Sequence, residues 1–73
     1  MGEHVITHQS YELRFIRPSE VDYVYLCWHA SRAYCATRHE RLCYVARHFV
    51  RKHPEYEGRA GGVYKDICGI LEG

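Results

Sequence analysis

Cysteine and histidine offer the most chemistry in this chain, with four cysteines (Cys27, Cys35, Cys43, Cys68) and six histidines among 73 residues. Cys35, His39 and Cys43 recur at four-residue spacing, and one continuous helix would bring all three onto one side. Structural zinc normally takes a tight pair of ligands from a Cys-x-x-Cys knuckle and a second pair from elsewhere. This chain has no Cys-x-x-Cys, and a helix start signal at Thr37 cuts the proposed helix between Cys35 and His39. The expectation is therefore no metal, with thiols in the core and histidines at the surface. Nucleophilic catalysis needs a Cys or Ser oriented by a His with a third group behind it, and no local signature accompanies any such pair. A core this small also leaves little room for a ligand pocket. Neither an enzyme nor a cofactor is expected.

Two other patterns could meet phosphate. Arg59-Ala60-Gly61-Gly62-Val63-Tyr64 could cradle an anion on its backbone amides at a helix start. It lacks the Lys-Ser/Thr of a phosphate-binding loop and reads better as a glycine linker. The stronger pattern is Thr37 to His53, where Leu42, Val45, Ala46, Phe49 and Val50 fall at helical spacing. Arg38, Arg41, Arg47, Arg51 and Lys52 stand between them, with Glu40 as the only acid. That is an amphipathic helix with a core face and a cationic face. Arginine suits bidentate and interface contacts better than a merely solvated face requires. These five cations are the candidate contacts for RNA, DNA or an acidic protein surface.

The elements that position these residues follow from pattern and punctuation. His4 to His8 is β-branched at its centre, and Tyr11, Leu13 and Phe15 alternate with Glu12, Arg14 and Ile16, which reads as the period of a half-buried strand. The two segments predict an antiparallel hairpin over 4–17, which must lie on helices because two strands alone are not stable. Its outer edge, with Val5, Ile6, Arg14 and Arg17 on or beside it, is a candidate partner-binding site. Pro18 ends the strand and Ser19 caps a helix over about 19–36. Val21, Val24, Tyr25, Trp28 and Cys35 lie near one face of that helix, with Tyr23, Leu26, Ala30 and Ala33 broadening it. Apolar on so much of its circumference, it reads as the central, most buried helix. Thr37-Arg38-His39-Glu40 opens a second capping box and a helix over 38–53, stopped by Pro54. One kinked helix across both is the alternative. After a polar loop, Val63, Ile67, Ile70 and Leu71 predict a short helix over 62–71.

Size and charge bound the rest. A chain of 73 residues makes one marginal domain that buries roughly 60% of its unfolded surface. The hydrophobic fraction of 47% argues against disorder. No apolar run is long enough for a membrane span, and the N-terminus lacks a secretory pattern. Cysteines eight residues apart on a helix are roughly 12 Å distant, beyond the reach of a disulfide. Free thiols, a monomer and a reducing cytoplasm are the expectation. The formal charge of +1 conceals an uneven distribution. Residues 23–54 carry Arg32, Arg38, Arg41, Arg47, Arg51 and Lys52 against Glu40 alone, while the segments on either side are net acidic. Such segregation builds a local positive field.

Residues 11–30 resemble the opening strand and helix of GNAT-superfamily acetyltransferases, carried by Ile16-Arg17-Pro18, Glu20, Asp22 and Trp28. That superfamily's acetyl-CoA loop is matched only up to Arg59-Ala60-Gly61-Gly62, so the likeness implies at most a degenerate fragment without its catalytic half. In length, single-domain build and its aromatic-rich, Arg-rich character, the whole chain resembles the small regulators of lytic phages, of the Xanthomonas-phage type, that bind host RNA polymerase. This resemblance implies a non-enzymatic transcription regulator that inhibits initiation and acts in antitermination. Host RNA polymerase would be its partner, with nascent RNA or DNA nearby. The expected architecture is a small α+β domain, an N-terminal β-hairpin packed on two or three helices.

Overall fold

Thr37 and Glu40 close on each other to start the longest helix. The Glu40 amide donates to Thr37 Oγ1 at 3.1 Å, and Glu40 Oε1 accepts from the amides of Ala36 at 2.9 Å and Thr37 at 3.2 Å. Those bonds, Ala36's first and Thr37's second, hold the Glu40 carboxyl below its ordinary value. In the computed structural model, which describes residues 13–72, this capping box opens α2 (Arg38–Lys52). Two helices flank it in sequence. Helix α1 (Val21–Ser31) is entered through the 3-10 turn Pro18–Glu20, and α3 (Ala60–Glu72) through the 3-10 turn Pro54–Arg59.

Helix α2 lies between the other two and packs against both, while α1 and α3 touch sparingly. Its buried stripe of Leu42, Val45, Ala46 and Phe49 meets Val24 and Cys27 of α1 and Val63, Ile67 and Ile70 of α3. Phe49 is fully buried, stacked on Tyr56 at 5.7 Å and tilted against Tyr23 at 6.3 Å. Truncating such a ring to alanine costs about 3–5 kcal/mol, a large part of a small domain's stability.

The α+β expectation is overturned. Of the described residues 80% are helical, and none of them is in a strand. The segment 4–8, with Val5 and Ile6, lies outside the described residues; the second strand of the hairpin does not form over 13–17. Asp66, 1% exposed on α3, explains why. Its Oδ2 accepts from the amides of Arg14 at 3.2 Å, Phe15 at 2.8 Å and Ile16 at 2.9 Å. Three consecutive amides gathered on one carboxylate leave no alternating donors for a ladder. The side chains break the alternation too, since Ile16 is buried beside half-buried Phe15. Tyr56 Oη donates to the Phe15 carbonyl at 3.0 Å, and a Cβ on Gly62 would overlap the Phe15 ring. Residues 13–17 are therefore an irregular strap bound to α3.

The first helix also differs from expectation. It ends at Ser31 rather than near 36, and it is not the central one. Leu26 on its outer side is 66% exposed, and the middle position belongs to α2. Among the described residues, no helix is long and apolar enough to cross a membrane.

Candidate functional site

The five cations of α2 divide into two groups. Arg41 faces α1, its guanidinium 3.7 Å from the centre of the Trp28 ring. From there its Nε donates to Ser31 Oγ and its Nη2 to the Trp28 carbonyl, both at 2.9 Å. A helix end leaves its last carbonyls without partners, and a guanidinium placed there satisfies one while complementing the dipole. Tight bonds from the Arg32, Ala33 and Tyr34 amides to the carbonyls three residues back complete the end of α1. Arg38 lies 5.7 Å from the same ring and 3.9 Å from Glu72. Lys52, at the other end of α2, sits 4.0 Å over Tyr23 and 3.7 Å from Glu20. These three cations are tied to α1, to α3 or to the turn before α1.

Arg47 and Arg51 are different. Both are exposed, and neither makes a hydrogen bond or ion pair among the described residues. They stand one turn apart on the side of α2 turned away from the core stripe. Beside them on the same helix is Tyr44, whose ring packs on His48 at 4.3 Å and stacks on Tyr34 at 5.7 Å, 12° from parallel. Tyr34 comes from the α1–α2 loop and is 74% exposed. Desolvation, then Arg51 and Arg47, push the His48 imidazole below its ordinary value. The outer face of α2 thus combines two uncommitted guanidiniums with a stacked tyrosine pair, His48 tilted against its inner ring and the outer tyrosine face open. Glu40, the helix's acid, is drawn to its N-terminus by the capping box.

The other sequence candidates fall as follows. Arg14 and Arg17 are exposed on the strap and its junction with the first turn, where no hairpin edge exists among the described residues. Val5 and Ile6 lie outside the described residues. Cys35 sits in the loop ahead of α2, its amide bonded to the Ser31 carbonyl at 2.9 Å, so it does not share a helix face with His39 and Cys43. Those two do meet, Cys43 Sγ lying 3.6 Å from His39 Nε2. Among the described residues, no three His, Cys, Asp or Glu groups are placed to hold a metal ion, and all four cysteines are free. The glycine segment 59–62 is used in packing: Gly62 lies under Phe15, and Arg59 sits 5.5 Å from that ring. An open groove of about 540 Å³ runs between α2 and the start of α3.

Two features had no sequence reading. The Tyr44–His48 contact could have been found from their spacing of one helical turn. Tyr34 reaches Tyr44 only because α1 stops at Ser31 and the loop folds back. No protein-family model, curated protein or solved structure matches this chain.

Proposed function

We propose that the protein is a non-enzymatic binding module that takes single-stranded nucleic acid on the outer face of α2. One observation carries this reading: Arg47 and Arg51 stand exposed beside the stacked Tyr34–Tyr44 pair and the His48 ring tilted against it. Single strands are held without sequence preference by cations that track phosphates and by aromatic faces on which bases stack. A merely solvated helix face needs the arginines and gains nothing from an open tyrosine stack. A duplex-reading helix would use a longer row of cations than the two left uncommitted here.

The finer proposal adds the partner. The likeness in size and character to small phage regulators supports host RNA polymerase as the protein that this domain binds, with nascent RNA against α2. Inhibition of initiation and antitermination belong to that proposal. The acetyltransferase-fragment alternative has lost support, because the strand it requires is absent over residues 13–17.

The test is the affinity for a single-stranded RNA oligonucleotide across a salt series. Arg47→Ala and Arg51→Ala should each flatten the log–log salt slope by roughly 0.7, and Tyr34→Ala should cost about 1–3 kcal/mol of binding. Unchanged affinity in all three variants refutes the nucleic-acid reading. Capture of RNA polymerase from nuclease-treated bacterial lysate tests the partner separately; capture that nuclease abolishes leaves only nucleic acid.

A further inference from the structure

A second arrangement lies along the adjacent side of α2, with Arg47 bordering both, and does not depend on nucleic acid. His39 and Cys43 are one turn apart, and Tyr64 of α3 closes on them from across the groove. Tyr64 Oη is 3.0 Å from His39 Nδ1, and His39 Nε2 is 3.6 Å from Cys43 Sγ. A neutral imidazole carries its proton on one nitrogen, and the partner of that nitrogen decides which. Desolvation first, then the Cys68 and Cys43 thiols, push the Tyr64 hydroxyl above its ordinary value, so it stays a neutral phenol. A neutral phenol accepts as well as donates, and in the tautomer whose Nδ1–H donates to Tyr64 Oη, His39 presents its bare Nε2 to the thiol. That is a nucleophile, a base and an orienting group in one line.

Neighbouring features suit a small ligand. Cys43, His39 and Tyr64 all line the groove of about 540 Å³, together with Arg47 and Glu57 at its polar margin. A carboxylate and an ammonium on one short peptide would find an opposite charge in each. The other cysteines lack this setting. Cys27 is buried, Cys35 stands on the loop, and burial raises the Cys68 thiol.

We propose that Cys43 is a reactive thiol, activated by His39, that forms a mixed disulfide with a low-molecular-mass peptide disulfide bound in this groove. The Cys43 proton passes to His39 Nε2, and Sγ attacks one sulfur of the incoming disulfide. A new S–S bond forms to Cys43 as the ligand's own S–S bond breaks. The departing thiolate recovers the proton from His39. Cys43 is oxidised, and the departing half of the ligand is reduced to a thiol.

Glutathione disulfide is the probe, applied to the reduced full chain at neutral pH, with each cysteine followed by peptide mass spectrometry. Cys43 should take up glutathione about tenfold faster than Cys35, because His39 stands in reach to take the Cys43 proton as the sulfur attacks. His39→Gln, an exposed first-turn position, should bring Cys43 down to the rate of Cys35 with an unchanged circular dichroism spectrum. Arg47→Ala should slow glutathione transfer more than it slows alkylation by iodoacetamide, which needs no bound peptide. Equal rates at Cys43 and Cys35, or an unaltered Cys43 rate in His39→Gln, overturns the activation. Glutathione transfer that falls no more than alkylation in Arg47→Ala overturns the groove as the binding site.

Discussion

Arg41 and Arg47 occupy the same helix and are chemically identical, yet their surroundings give them opposite uses. Arg41 lies over the Trp28 ring and donates to a carbonyl and a hydroxyl at the end of α1. Arg47 projects from the far side of α2, with no hydrogen bond or ion pair among the described residues. The difference teaches that a count of cations on an amphipathic helix overstates its binding face. Cations that flank the apolar stripe fall beside neighbouring helices, where aromatic rings and helix ends claim them. Cations opposite the stripe remain available. Arg38, Arg41 and Lys52 belong to the first class, and Arg47 and Arg51 to the second.

The largest effect that tests this division is on stability. Trp28 is the platform for Arg41 and Arg38 and packs against the core, so Trp28→Ala should cost about 3–5 kcal/mol in denaturant unfolding. A loss below 1 kcal/mol, on the order of a surface substitution, removes the seam from the account of stability.

A smaller effect separates the two arginines directly. Arg41→Ala removes a stacked cation and two charge-assisted hydrogen bonds, and should cost about 2–3 kcal/mol. Arg47→Ala should stay within about 0.5 kcal/mol, as exposed positions do. Equal costs would break the comparison. A double cycle with Trp28→Ala should show coupling for Arg41 and none for Arg47.

The smallest effect is a titration. His48 is held below the ordinary histidine value by desolvation, then by Arg51 and Arg47. Because the folded value is the lower one, the unfolded chain takes up this proton first as pH falls. His48 therefore withdraws stability as pH drops from the ordinary histidine range through its folded value, and contributes nothing above that range. Its NMR midpoint should rise when Arg47 and Arg51 are both replaced by alanine, and also when an RNA oligonucleotide binds. A midpoint unmoved by the oligonucleotide places the RNA elsewhere.

Helix α2 was legible from the chain alone. Its capping box is a contact between Thr37 and Glu40, and its buried stripe at Leu42, Val45, Ala46 and Phe49 repeats at the helical period. Val63, Ile67 and Ile70 of α3 showed the same period. Such features depend on residues within a turn or two of one another, so sequence spacing carries them. The strap over residues 13–17 was not legible, because its fate rests on a carboxylate some fifty residues away. Tyr11, Leu13 and Phe15 have strand spacing, and without Asp66 in place a strand is the better local reading. Tertiary structure alone also decided which cations remain free, because the seam between α1 and α2 claims a guanidinium only once Trp28 lies under it. Local pattern determined which segments are helical and where the charge lies. Long-range packing decided what the first segment becomes and which of the charges a ligand can reach, since both depend on groups distant in sequence being brought together.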